Sequence, residues 1–289
     1  MNPNIVIIET VGICNAHCKY CPQGAGLLSK PTGDIFISEK TLSKALELAK
    51  LGVNEVIYLH HRGEPFLHPN IGDIVRQVRE AGFLACFSSN FACANSNKIK
   101  EVLLAGITQI EVHLSGGLTT KTPVDKIFKN ILALFKLNKE LRNNGCRIDI
   151  NYALGENETN NSVIRKLSDS IYFDENMPIR FFEPHNWVSL FRMKDLSIDP
   201  KMCQWYKTNS CCVLSNGDIA ICCLDQFGYS VINNIHQIEQ IDQLMLTKRK
   251  ICVGCSQYDW FDDWLPNEVL TTPNYLKEVM KYDSLNEQA

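Results

Sequence analysis

Apolar runs of strand length recur along the N-terminal part of the chain, and each is followed by a segment whose apolar positions repeat with a helical period. Residues 4–9 (NIVIIE) read as a buried strand. Leu42, Ala45, Leu46 and Ala49 then fall at i, i+3, i+4, i+7, with Ser38 as N-cap and Gly52 as the stop. EVIYLH (55–60) is the second strand, and Ile71, Ile74, Val75 and Val78 mark a helix that ends at Gly82. LACFSS (84–89) precedes a short helix over 97–105. ITQIEVHLS (107–115) precedes a long one, with Ile127, Ile131, Leu134 and Phe135 on one face and a stop at Asn144-Gly145. RIDINYAL (147–154), a less regular helix over 160–171, and IRFF (179–182) complete the series.

Strands that alternate with helices predict parallel pairing through right-handed crossovers. Six such units fit an α/β fold built as a partial (β/α)6 TIM barrel over 1–184, although periodicity leaves a doubly wound open sheet as an alternative. The rhythm breaks after residue 184. HNWVSLFRMKDLSIDPKM has no sustained period and contains Pro200, which predicts a linker over 185–202. Residues 203–289 then read as a small cysteine-rich α+β domain. In it CCVLS-NGD-IAICC forms a hairpin turning at Asn216-Gly217, and Ile235, Ile238, Ile241 and Leu244 suggest a helix. The aromatic, acidic stretch YDWFDDW (258–264) reads as packing for a C-terminal helix over 266–282, and would alternatively line a pocket for a cationic substrate.

Composition narrows the function. The 289 residues are 45% hydrophobic and 21% charged, with a formal net charge of −3, so no nucleic-acid partner is expected. The tight basic run Lys248-Arg249-Lys250 reads as a solvated helix end. The first residues lack a basic n-region, and no stretch approaches the ~18 apolar residues of a membrane helix, which predicts a cytoplasmic protein with no membrane partner. In a reducing cytosol, 13 cysteines point to metal or redox chemistry rather than to disulfides.

Cys14, Cys18 and Cys21 form a C-x3-C-x2-C loop directly after the first strand. Structural zinc usually takes four ligands from two C-x2-C pairs, whereas three close cysteines suit a [4Fe-4S] cluster with one iron left open. A zinc site completed by His17 is the bland alternative. With Tyr20 before the last cysteine, the loop resembles the signature of the radical S-adenosylmethionine (SAM) superfamily. That resemblance implies a SAM-binding cluster on Cys14, Cys18 and Cys21. It also implies a 5′-deoxyadenosyl radical that removes a hydrogen atom from substrate, an external flavodoxin- or ferredoxin-like electron donor, and Tyr20 near the adenine. Other strand ends agree with it. Gly63-Glu64-Pro65 resembles the Gly-Glu segment that holds the methionine ammonium. Ser88-Ser89-Asn90 and Ser115 resemble segments that meet the ribose or carboxylate, and Asn157 stands where the family often supplies a ribose-binding Asn. Phe91 departs from the pattern, since many relatives carry glycine there. His60, His61 and His113 read mainly as framework at strand ends.

Cys203, Cys222, Cys252 and Cys255 resemble the twitch extension, a shortened SPASM domain, and imply one auxiliary [4Fe-4S] cluster saturated by four thiolates. Cys211, Cys212 and Cys223 are near enough to substitute, although strand alternation would send Cys222 and Cys223 to opposite faces, and a four-cysteine zinc knuckle is the alternative. The likeness is nearest to twitch-type dehydrogenases and epimerases of aminocyclitols. It implies oxidation or epimerisation of a sugar-like natural-product intermediate, with Arg62, Glu183 or His185 as proton acceptor. Two other readings stand beside it. One is radical modification of a ribosomally made peptide, disfavoured because strand one starts too early to leave room for a precursor-binding domain. The other is a non-catalytic iron–sulfur or zinc module.

Overall fold

The computed structural model describes residues 3–28, 34–141, 145–153, 179–182 as backbone, 205, 208–226, 228 and 230–239. Strand β1 (Asn4–Ile8) leads into helix α1 (Glu39–Ala49), where Ser38 accepts the Thr41 N–H at 3.1 Å as its N-cap. Strand β2 (Val56–Tyr58) is followed by a single 3-10 turn, Pro65–Leu67, and by α2 (Ile71–Glu80). Strand β3 (Leu84–Ser89) precedes α3 (Ser96–Leu104), capped by Asn95, which accepts from Lys98 N–H at 3.0 Å. Strand β4 (Gln109–His113) runs into a short helix α4 (Leu114–Leu118) and the long α5 (Val124–Glu140). Strands β5 (Arg147–Ala153) and β6 (Ile179–Phe182) follow, then β7 (Ser210–Val213), β8 (Asp218–Ala220) and β9 (Val231–Asn234).

These strands form one open sheet in the order β6-β5-β4-β3-β2-β1-β7-β8-β9. Strands β1 to β6 are mutually parallel, as the alternation predicts, and the fold is the expected α/β type. The cysteine-rich hairpin is not a separate layer: β7 pairs parallel with β1, and β8 and β9 continue antiparallel from it.

The two faces of the sheet differ in kind. The helix-covered face is apolar throughout: Ile5, Ile8, Ile57, Leu59, Ala85, Phe87, Ile110, Val112, Ile148, Ile150, Cys211, Val213 and Ile219 join one buried cluster with the apolar stripes of α1, α2, α3 and α5. Register places the alternate residues on the inner face, with Ile7 beside Tyr58, Tyr58 beside Cys86, Cys86 beside Gln109 and Gln109 beside Arg147.

Three local expectations need correction. Ser115 is not at a strand end, because β4 stops at His113 and Ser115 sits in the first turn of α4, whose start is closed by Gly116 N–H donating to His113 Nδ1 at 3.2 Å. Of the helix suggested by Ile235, Ile238, Ile241 and Leu244, the described part begins as a 3-10 turn (Ile235–Gln237), and Ile241 and Leu244 lie outside the described residues. Cys222 and Cys223 lie beyond the end of β8, so strand alternation does not separate them. The linker over 185–202, the helix over 160–171 and everything after residue 240 lie outside the described residues. No helix among the described residues is long and apolar enough to cross a membrane.

Candidate active site

The three N-terminal cysteines sit on a loop that leaves β1 and is held by close backbone packing rather than by regular structure. Gly24 lies against the Cys18 backbone, where an added Cβ would come within 2.5 Å of its nitrogen. At Gly63 a Cβ would overlap the Val11 and Ile13 carbonyl oxygens, and the next residue, Glu64, donates its N–H to Ile13 O at 2.9 Å. Only glycine permits these two approaches. They fix the loop to the strand ends beneath it.

The thiols are all reduced, and they are near enough to influence one another. Burial, and then the neighbouring Glu64 charge, push the Cys14 thiol up to about 12, with Cys18 and Cys21 adding to the shift. Burial also pushes Cys21 up, offset in part by the Gly24 and Gln23 backbone N–H groups. Buried thiols such as Cys14 and Cys21 become thiolates together when a multiply charged cationic partner takes them, which suits iron. Among the described residues no three of His, Cys, Asp and Glu converge on one point as a single metal ion would require, and His17 is exposed. Three close cysteines on one loop are the donor set of a [4Fe-4S] cluster with one iron left open.

Behind the loop stands Glu64, buried and fully engaged. Ser89 Oγ donates to its Oε1 at 2.6 Å, Phe66 N–H to the same oxygen at 3.1 Å, and Asn90 N–H to Oε2 at 2.8 Å. Burial raises its pKa, opposed by these three donors. Glu64 thus locks the end of β2 to the end of β3. Asn90 Nδ2 in turn donates to Asn15 Oδ1 at 2.9 Å and stands 3.7 Å from Cys14 Sγ. Phe91 has a backbone conformation that glycine adopts freely: its φ is +60°, a region bulky residues avoid, and its ring is buried edge-on against Phe66 with centroids 5.4 Å apart. Tyr20 Oη donates to Ser115 Oγ at 3.0 Å, and its ring leans on His113 at 6.3 Å. The structure therefore brings Cys14, Cys18, Cys21, Tyr20, Gly63, Glu64, Ser89, Asn90 and Ser115 to one end of the sheet. Asn157, Cys203, Cys252, Cys255, Glu183 and His185 lie outside the described residues.

One expectation fails on charge. Arg62 is no proton acceptor: its Nε and Nη2 donate to Glu9 at 2.8 and 2.6 Å, and this pairing outweighs burial and raises its pKa further.

The inner face of the sheet carries polar groups that sequence reasoning passed over. On β3, β4 and β5 it presents Ser88, Gln109, Glu111, His113, Asp149 and Asn151. Gln109 Nε2 donates to Asp149 Oδ2, Arg147 Nε to Asp149 Oδ1 at 3.0 Å, and Asn151 Nδ2 to Glu111 Oε2 at 3.3 Å. The signal was present in QIEVH and RIDIN, where every second residue is polar. His60 accepts Ser88 N–H on Nδ1 at 3.0 Å, which leaves the ring proton on Nε2, and burial followed by the His61 and His113 charges lowers its pKa to about 4. On β1, β7 and β8 the same face is apolar: Ile7, Cys212, Leu214 and Ala220 pack together with Tyr58, Trp205, Cys223 and Val231 against them. Cys222 and Cys223 are half-buried beside this floor, close enough to hydrogen-bond to each other.

No protein-family model matches the sequence. An AdoMet-dependent heme synthase of Methanosarcina barkeri is 25% identical over 115 residues, 40% of this chain and 32% of that protein, so the chain spans about a third of that relative's length. Among solved structures, BtrN in complex with AdoMet and 2-DOIA superposes with a TM-score of 0.54 at 15% identity, covering 94% of this chain and 93% of that one. SuiB of Streptococcus suis bound to its precursor peptide SuiA gives 0.56 at 13% identity, over 88% and 70%. These likenesses support a partial-barrel fold with an appended twitch- or SPASM-like segment. SAM and a [4Fe-4S] cluster are the cofactors of such proteins, and twitch- and SPASM-like members carry an auxiliary cluster as well. The cysteine loop and the strand-end cradle, together with these relatives, make the chain similar to radical SAM proteins and, in fold, to twitch- and SPASM-like members of that superfamily.

Proposed function

We propose that the chain oxidises or epimerises a hydroxyl-bearing, sugar- or aminocyclitol-like small molecule by radical chemistry at the end of the sheet that carries Cys14, Cys18 and Cys21. When bound, SAM and the cluster would supply the 5′-deoxyadenosyl radical that removes a hydrogen atom from substrate. The observation that carries the reading is the inner face of β3 to β5, whose part-exposed Ser88, Glu111, His113 and Asn151 present polar groups where an apolar substrate would want none. His60 joins them as a donor, because its Nδ1 is occupied by Ser88 N–H. The part-exposed Glu111 carboxylate on that face also suits an amino group.

The residues divide the work. Cys14, Cys18 and Cys21 would hold the cluster, Glu64 locks the strand ends beside them, and Tyr20, Gly63, Ser89, Asn90, Ser115 and Asn157 would contribute to binding SAM. Cys203, Cys222, Cys252 and Cys255 would hold an auxiliary cluster, which would supply an electron acceptor for oxidation of the substrate. A flavodoxin- or ferredoxin-like protein supplies the first electron. BtrN, whose structure contains AdoMet and 2-DOIA, matches this chain over nearly its whole length and supports a small-molecule substrate. A peptide substrate is the second reading, favoured by the likeness to SuiB bound to SuiA.

The test is anaerobic iron and sulfide quantification on reconstituted protein, followed by dithionite, SAM and an assay for deoxyadenosine. About eight irons with deoxyadenosine formation is the expected result. About four irons with zinc would remove the auxiliary electron path and with it the dehydrogenation. Folded protein with neither iron nor deoxyadenosine would refute the proposal. Incubation with hydroxyl- and amine-rich small molecules against peptides then separates the two substrate classes.

A further inference from the structure

Glu9 stands at the end of β1, wholly buried, and it carries a charge. Its carboxylate accepts from the Arg62 backbone N–H at 3.0 Å, from Arg62 Nε at 2.8 Å and Nη2 at 2.6 Å, and from the Ser215 backbone N–H at 3.1 Å. The buried His61 ring lies 3.4 Å away, at ion-pair distance without hydrogen-bond geometry. Burial alone would raise the Glu9 pKa; Arg62 and then His61 hold the carboxyl well below the usual range. The Arg62 guanidinium also feels Asp218 and Asp225.

This contact joins three places distant in sequence. Glu9 lies five residues before Cys14, Arg62 adjoins Gly63, and Ser215 lies in the β7–β8 turn, seven residues before Cys222. Other bonds run through the same points. Gln23, with its amide oriented to satisfy its neighbours, accepts from Cys14 N–H at 3.0 Å and donates to Arg62 O. Ser215 Oγ donates to Asp34 O at 2.9 Å, and Gly12 N–H to Ile35 O at 2.8 Å. On the hairpin side, Cys212 feels the charges of Glu9, Asp225 and Cys222. A buried ion pair is weak at conferring stability, since apolar packing often does as well, so its place between the N-terminal cysteine loop and the β7–β8 turn asks for another explanation.

We propose that Glu9, acting through Arg62, is a positioning residue: the pair fixes the Cys14–Cys21 loop, which Gln23 ties to the Arg62 backbone, against the β7–β8 turn, keeps the Arg62 cation compensated, and so sets the reduction potential of the cluster there. The inference rests on Cys14, Cys18 and Cys21 being cluster ligands. Glu9→Gln removes the negative charge while keeping the shape. The unbalanced Arg62 cation then stabilises the reduced cluster and moves its potential positive.

The experiment is EPR-monitored redox titration of reconstituted wild type, Glu9→Gln and the double variant Glu9→Gln/Arg62→Gln. A positive shift in Glu9→Gln that returns towards wild type in the double variant is expected. A folded, iron-loaded Glu9→Gln protein with an unmoved potential would overturn the inference, as would an equal shift in the double variant. Should Glu9→Gln fail to fold, Arg62→Lys decides. It keeps the charge but not the forked geometry, so it should weaken SAM binding several-fold and alter the EPR signal of the SAM-bound cluster at unchanged iron content. A signal and affinity equal to wild type in Arg62→Lys would then refute the positioning role. Wild-type protein that takes up no iron at the N-terminal set would instead refute the proposed function.

Discussion

The inner face of the sheet divides into two halves that share a backbone plan and little else. Across β3, β4 and β5 it is a ladder of hydrogen-bonded polar groups, with Glu111 beside Asp149 and His113 beside Asn151. Across β1, β7 and β8 it is an apolar floor of Ile7, Cys212, Leu214 and Ala220. The helix-covered face shows no such division and is apolar from β5 to β8. The difference separates two jobs: the outer face decides the fold, while the inner face divides into a polar half across β3 to β5 and an apolar half beside Cys223.

The comparison breaks most sharply at the cysteines. Cys14→Ala, Cys18→Ala and Cys21→Ala should each abolish deoxyadenosine formation in protein that keeps its far-UV circular dichroism. Retained activity in any one would remove the assignment of that loop.

The next largest effect tests the outer face. Phe66 is buried and packs edge-on against both Phe87 and Phe91, with centroids 5.4 Å apart in each pair. Phe66→Ala should cost about 3–5 kcal/mol in a denaturant titration, since it opens a cavity between rings that cannot collapse. A loss below about 1 kcal/mol would mean the aromatic cluster does not anchor the strand ends as described.

A smaller effect separates the polar half from the rest by pH. His60 has its pKa lowered from the usual 6.5 to about 4 by burial and by the charges of His61 and His113. The unfolded chain takes up this proton as pH falls below about 6.5, whereas the folded protein takes it up only near 4. Stability from this group is therefore complete above the unfolded value and lost as pH falls through that window, by about 2–3 kcal/mol at most. His60→Asn, whose Oδ1 can still accept the Ser88 N–H, should flatten the fall in melting temperature between pH 7 and pH 5. An unchanged slope in the variant would mean that His60 is solvated or already charged.

The sequence carried the outer face openly and the inner face only in part. Ser38 and the i, i+3, i+4 spacing of Leu42, Ala45 and Leu46 announced α1, and the cysteine loop announced itself through C-x3-C-x2-C. Glu64 was legible as a site residue, but its three internal donors come from β3 and the turn after β2, and only folding brings them together. The pairing of β7 with β1 joins Ile5 to Cys211 across the length of the barrel, and no local pattern encodes a contact so distant. Phe91 defeated local rules differently, since its aromatic packing outweighs a backbone preference that would have asked for glycine. Ser115 was misplaced because Gly116-Gly117 reads as a break, whereas the His113 ring caps a short helix through it.

The smallest expected effect lies in the apolar half and concerns Cys212. Its side chain is fully buried beside Ile7, Leu214 and Ala220, and burial followed by the charges of Cys211 and Cys222 pushes its thiol well above the usual range. A thiol packed in this way behaves as a small apolar side chain. Cys212→Ala should therefore cost only about 1 kcal/mol and leave the iron content of reconstituted protein unchanged. Cys212→Ser should cost more, about 1–3 kcal/mol, because the hydroxyl would be buried among apolar neighbours without a partner. The ordering matters more than either value. If Cys212→Ala instead lost about four irons while the N-terminal cysteines kept theirs, Cys212 would be a cluster ligand, and the apolar half of the inner face would belong to the chemistry rather than to the packing beneath it.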